Sequence, residues 1–161
     1  MDIDGKIILD ACCGSRMFWF DKNNPDVLFA DIRTESHTLC DGRSLDIRPE
    51  VEHDFRGMPY PDNTFKMVVF DPPHFNKLGK TSWMGKKYGV LFPTWEADIK
   101  QGFDECMRVL DNYGTLIFKW NVAQIPLQKI IEVIGQEPLF GHTTKAGGQT
   151  LWMAFIKKQK H

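Results

Sequence analysis

The sequence predicts an α/β domain built on a mostly parallel, seven-stranded sheet that finishes in an antiparallel hairpin. Three observations predict it. Short, β-branched apolar runs alternate with stretches of helical spacing, as in a sheet covered on both faces. Several of these runs stop abruptly at an aspartate: Leu9-Asp10, Ala30-Asp31 and Phe70-Asp71. Two late apolar runs flank Ala146-Gly147-Gly148, a connection that suits an antiparallel pair.

Lys6 to Ala11 is the first strand, followed by a strand-to-helix turn containing Gly14. Val27 to Ala30 is the second, and Val51 to His53 a short third. Between them, Thr38 to Cys40 and Arg43 to Ile47 flank Asp41-Gly42, a type I′ turn signal, so a small hairpin is expected in place of a full helix. Lys66 to Phe70 and Thr115 to Trp120 are the fourth and fifth strands. Ile99, Phe103, Cys106, Met107 and Leu110 recur at helical spacing, which predicts a helix over Trp95 to Leu110, closed by a turn at Asn112-Tyr113-Gly114. Ile125 to Ile134 predicts a second helix, with Pro126 near its first turn and Gly135 at its end. Leu139 to His142 and Leu151 to Lys157 complete the sheet.

The 161 residues suit one domain, 1–161, large enough to bury a core without staples. Hydrophobic residues at 42% and charged residues at 25% exclude a disordered, collagen-like or coiled-coil chain. There is no apolar run of membrane-spanning length and no basic, apolar leader, so a cytoplasmic protein without membrane contact is expected. Cys12, Cys13, Cys40 and Cys106 fit neither a disulfide framework nor a zinc site, and no metal is expected.

The net charge of −1 hides an asymmetry. The stretches Pro72 to Trp95 and Pro138 to His161 contain no acid and hold eight of the 20 basic residues, so one face is expected to meet an anion.

Ligands of such sheets bind at the carboxyl ends of the strands, which directs attention to the residues there. The turn Asp10-Ala11-Cys12-Cys13-Gly14-Ser15 brings backbone close to a ligand, yet Arg16 and Met17 exclude a GxGxxG cradle and no P-loop lysine follows. Asp31 stands about 20 residues beyond, where an acid receives ribose hydroxyls. Asp54 and Phe55 offer an acceptor and a ring suited to an adenine. The strongest signal is Asp71-Pro72-Pro73-His74, because two prolines stiffen the strand exit and leave carbonyls as fixed acceptors beside a carboxylate. That arrangement suits a substrate amino group.

These segments resemble the class I S-adenosylmethionine-dependent methyltransferases, a Rossmann-like fold. The closest similarity is to the amino-methyltransferases with a D/N-P-P-Y/F/W motif, and small members of phage and prophage type look similar too. Asp10-Ala11-Cys12-Cys13-Gly14-Ser15 matches the first motif at Asp, the second Cys, Gly and Ser, and Asp71-Pro72-Pro73-His74 matches the catalytic motif. Arg16 stands where the family has a glycine, and His74 where it has a base-stacking aromatic. The resemblance implies S-adenosylmethionine as cofactor, held at its methionine end by Asp10 and the Ala11 to Ser15 turn, at its ribose by Asp31 with Ile32, and at its adenine by Asp54 and Phe55. It implies that Asp71, Pro72, Pro73 and His74 hold and methylate an exocyclic amino nitrogen of a nucleobase in DNA or RNA, adenine N6 being the first expectation. Residues 74–92 are expected to form a mobile substrate lid, in which Lys77 and Lys87 meet phosphates and Trp83 and Tyr88 stack on a base. Lys119 and Asn121, at the end of the neighbouring strand, are expected to face substrate. Three other readings stay open: a methyltransferase of a small molecule or protein amide, a cofactor-binding subunit whose partner recognises the target, and a non-enzymatic nucleic-acid-binding module.

Overall fold

The computed structural model describes residues 3–73, 93–143 and 147–159. Nine strands, β1 (Ile8–Asp10), β2 (Val27–Asp31), β3 (Glu35–Thr38), β4 (Ser44–Ile47), β5 (Val51–Glu52), β6 (Phe65–Phe70), β7 (Leu110–Asn121), β8 (Phe140–Thr143) and β9 (Thr150–Ile156), and two helices, α1 (Trp95–Val109) and α2 (Leu127–Ile134), are found among those residues. Seven strands form one sheet in the order β5-β2-β1-β6-β7-β9-β8. Its first five members are parallel, and β9 runs antiparallel between β7 and β8. This is the expected architecture, with the late hairpin inserted so that β9, not β8, meets β7.

Both helices pack on one face. Ile99, Phe103, Cys106 and Val109 are buried on α1, and the Phe103 ring meets Phe155 edge-on at 5.1 Å. Ile130 and Ile134 bring α2 into the same core. Gly135 ends α2 in the left-handed region at φ 74, where its N–H reaches the Ile131 carbonyl. Because strand side chains alternate, this face receives Leu9, Leu28, Val68, Phe70, Leu116, Phe118, Trp120, Met153 and Phe155.

Three expectations need correction. No helix follows β1: residues 11–26 run through turns, so on the opposite face Trp19 packs edge-on to Phe29 at 5.4 Å where a helix was expected. Asn23, Asn24 and Pro25 favour turns, and the stretch lacks helical apolar spacing. The hairpin β3–β4 forms, but not through a type I′ turn. That turn requires positive φ at both central residues, and only Gly42, at φ 84, adopts it. Gly42 donates to the Leu39 carbonyl and Leu39 to the Arg43 carbonyl, closing a longer loop. The Asn112-Tyr113-Gly114 segment does not interrupt β7. Tyr113, at φ 61, donates to the Lys157 carbonyl, and Lys157 donates back to Gly114, so the strand continues through an irregularity. Pro126 stands next to the first turn of α2, as expected, at its N-cap with extended backbone at ψ 155.

Among the described residues no helix is long and apolar enough to cross a membrane.

Candidate functional site

Register places the candidate residues in one row. Asp10 pairs with Val69 on β6 and Phe29 on β2, and Val69 pairs with Ile117 on β7. Two residues further along, Asp31, Asp71 and Lys119 leave the carboxyl ends of those strands on the same side as Asp10, which is the face away from α1 and α2.

Asp10 is wholly buried. Its Oδ2 accepts from the Trp19 indole at 2.7 Å and its Oδ1 from the Cys12 N–H at 3.3 Å. Burial pushes its carboxyl up to about 7, against the Trp19 hydrogen bond, and the Asp71 and Asp31 charges add to the rise. Asp31 is 5% exposed. Its Oδ2 accepts from the Gly14 N–H at 2.9 Å, and its Oδ1 from the Arg33 backbone at 3.0 Å and side chain at 3.4 Å. The predicted Gly turn and ribose acid are therefore in direct contact. Gly14, at φ 50, takes a conformation that glycine adopts without strain. Ile32 next to Asp31 is half exposed.

Arg16, at the departure from the family motif, also has positive φ, 59. Its guanidinium lies 4.0 Å from the centre of the Phe29 ring and donates to the Lys22 and Arg48 carbonyls. It thus ties the loop to β2 and points away from the Asp10 cluster's hydrogen bonds.

Asp54 and Phe55 are less open than expected. Arg56 grips Asp54 from Nε at 3.0 Å and Nη2 at 2.6 Å, which holds its carboxyl below the usual range. Phe55 packs edge-on to Phe70 at 5.3 Å and against Gly102 of α1. A Cβ at Gly102 would stand 2.4 Å from the Phe55 ring, so that glycine makes room for it. Phe55 is thus partly a core residue.

Asp71 follows β6 directly, with a side chain only 11% exposed. Burial raises its carboxyl, opposed by Lys119, whose ammonium lies 3.2 Å from Oδ2. Pro72 is buried and Pro73 half-buried. Asn121 is occupied at the end of β7, donating to Thr150 Oγ1 at 3.3 Å and accepting from the Ala123 N–H at 2.9 Å. Cys13 is buried, Cys12 and Ser15 are half-buried, and the burial of both cysteines pushes their thiols up, as for packing residues rather than nucleophiles. His74, Lys77, Trp83, Lys87 and Tyr88, with the whole 74–92 lid, lie outside the described residues.

Sequence reasoning missed two features. Phe18 and Trp152 meet edge-on at 5.2 Å, and each ring centre lies 5.3 Å from the Lys119 ammonium. With Trp19, Phe20, Val69 and Ile117 they line a cavity of about 510 Å³ on the face away from α1 and α2. The run Phe18-Trp19-Phe20 was the available signal. The second is buried His53, whose Nε2 meets the Ala11 carbonyl at 2.9 Å and whose Nδ1 meets Tyr60 Oη at 3.1 Å. Burial lowers its pKa, so this ring is neutral and ties β5 to the Gly turn. Residues so far apart in sequence gave no signal of the pairing. No group of metal-holding side chains is found among the described residues.

No family model matches the chain, and no curated protein matches it. Solved structures do. A Pyrococcus horikoshii protein is 14% identical at a TM-score of 0.61, over 97% of this chain and 84% of that one. A TehB-like SAM-dependent methyltransferase from Corynebacterium glutamicum is 16% identical at 0.55, over 96% and 81%. A Haloferax volcanii protein solved in complex with a methyltransferase activator is 11% identical at 0.50, over 96% and 84%. At these identities the likeness shows the fold: a Rossmann-like sheet of the methyltransferase type.

Proposed function

We propose that this chain is an S-adenosylmethionine-dependent methyltransferase acting on an exocyclic amino nitrogen, with a nucleobase of DNA or RNA as substrate and adenine N6 as the first target to test. The observation that carries the reading is the convergence of Asp10, Asp31 and Asp71 at one edge and on one face of a methyltransferase-type sheet. Three clustered, buried carboxylates favour a cation beside them. S-adenosylmethionine, when bound, supplies a methyl group on a positively charged sulfonium. Its fit is therefore electrostatic as well as topological.

In this reading Asp31 receives a ribose hydroxyl. A carboxylate has about four acceptor positions, and three N–H donors use Asp31 within the fold. Asp10 fixes the Gly turn through Cys12 and adds negative potential at the methionine end. Ala11 to Ser15 form the wall there, Ile32 flanks the ribose, and Asp54 with Phe55 borders the adenine. Asp71 and the Pro72 carbonyl receive the substrate N–H groups, orient the nitrogen lone pair and stabilise positive charge as the bond to carbon forms. His74 and the basic, aromatic 74–92 segment supply contacts to base and phosphate in the same reading, and Lys119 borders the amine.

A second reading, a cofactor-binding subunit whose partner supplies target recognition, is favoured by the apolar surface around Phe20 and Trp152 on the sheet face away from α1 and α2. The Haloferax neighbour in complex with an activator supports it as well.

Titration calorimetry of S-adenosylmethionine into wild type and Asp71→Ala, followed by labelled-methyl transfer to DNA, RNA and adenosine, tests both. The expected result is cofactor binding in both proteins and transfer reduced at least about 100-fold in Asp71→Ala. Binding without transfer to any substrate favours the subunit. Absence of binding to wild type overturns both readings.

A further inference from the structure

Resting on that methyltransferase reading, we infer that Lys119 is a positioning residue for Asp71: seated against the Phe18–Trp152 ring pair with its ammonium 3.2 Å from Asp71 Oδ2, it keeps the buried carboxylate ionised and leaves Oδ1 to receive the substrate N–H.

The need for such a partner follows from the surroundings of Asp71. The side chain is 11% exposed. Asp10 of β1 and Asp31 at the end of β2 both act on the cluster as like charges, and the half-buried Cys12 adjoins it. Burial and like charge both favour the protonated acid. A protonated Asp71 would donate to the amine lone pair, which is the pair that must attack the methyl group. The site works only with the carboxylate ionised. Of the charged groups that face Asp71 from the described elements, Lys119 is the cation in contact with it.

The ring pair explains why the ammonium stays there. Lys119 pairs in register with Trp152 across β7 and β9, which fixes its starting point. Both ring centres lie 5.3 Å from the ammonium and the side chain is 17% exposed, so the charge is held beside Asp71 instead of sampling solvent. Among the described residues, Oδ1 has no donor, which leaves it as the acceptor for substrate. A lysine near the end of β7 with a purely terminating role would have no reason to sit against rings from two separate segments.

The test is the titration of Asp71 itself. In full-length chain labelled with ¹³Cγ-aspartate, the Asp71 signal is identified by its loss in Asp71→Asn and followed against pH in wild type, Lys119→Met and Lys119→Arg. The expected result is a midpoint higher by about 1–3 pH units in Lys119→Met and returned close to wild type in Lys119→Arg. Lys119→Gln replaces Lys119→Met if the latter does not fold, as judged by circular dichroism. In parallel, the acid limb of kcat/KM for methyl transfer moves upward by the same interval. An unmoved midpoint in the neutral variant, or an arginine variant that behaves like it, overturns the inference. A chain that transfers no methyl group while the midpoints move as expected overturns the methyltransferase reading and leaves the lysine–aspartate coupling standing. Transfer with unmoved midpoints does the reverse.

Discussion

Under α1 and α2, the sheet presents Leu9, Val68, Phe70, Leu116, Phe118 and Trp120, all fully buried. On its other face Ile8, Met67, Ile117 and Trp152 are only half-buried, and there also lie Asp10, Asp31, Asp71 and Lys119. The same strands therefore serve two purposes through alternation: one set of positions carries the main core, and the next set carries the charges beside a smaller buried cluster of Val27 and Phe29. Residues 11–26 follow the same division. With turns in place of a helix, they let Trp19 reach Asp10 and Phe18 reach Lys119, at the cost of a less complete apolar cover.

Substitution should separate the faces. Phe118→Ala removes a ring that stacks on Phe70 at 5.3 Å and touches Phe103 and Phe155. The expected loss is about 3–5 kcal/mol of unfolding free energy, read from urea denaturation. A loss below about 1 kcal/mol would mean that the helix-covered face is not the main source of stability.

Much of this division could be read beforehand. Apolar runs ending in aspartate marked β1, β2 and β6, and the regular spacing of Ile99, Phe103 and Cys106 marked α1, because burial on one face leaves a periodic trace. The alignment of Asp10, Asp31 and Asp71 followed from strand ends in a parallel sheet. Pairings between distant side chains left no such trace. Trp19 with Asp10, His53 with Tyr60, and Lys119 with Asp71 depend on how loops return to the sheet edge, which local composition does not encode. Asp54 shows the same limit: its strand-end position was legible, but its engagement by Arg56 was not, although Arg56 is two residues away.

A second experiment probes the charged face. The folded state holds the Asp10 proton up to about 7, whereas an unfolded aspartate releases it near 3.8. Between those values the unfolded state gains by ionising and the folded state does not, so this group makes stability fall as pH rises, and the effect levels off above about 7. The slope attributable to one proton is at most about 1.4 kcal/mol per pH unit. Asp10→Asn cannot titrate, so its stability should vary less steeply than wild type from pH 4.5 to 6.5. Its overall stability should drop too, because an amide cannot accept at both positions from Trp19 and Cys12. Parallel curves for the two proteins would place the Asp10 charge outside the folding equilibrium, and the contrast between the faces would lose its electrostatic half.

The smallest effect is expected at the edge of the face away from α1 and α2. Phe20 is fully exposed although it lines the cavity beside Trp152. An exposed ring contributes little to the folded state, so Phe20→Ser should change unfolding free energy by no more than about 0.5 kcal/mol. The same substitution on the other face would rank with Phe118→Ala. This makes Phe20 a clean probe of what its face is for: with stability unchanged, any loss of substrate affinity or of partner binding in the variant reports on the cavity directly. A stability loss of about 2 kcal/mol or more would instead show that Phe20 is covered in solution.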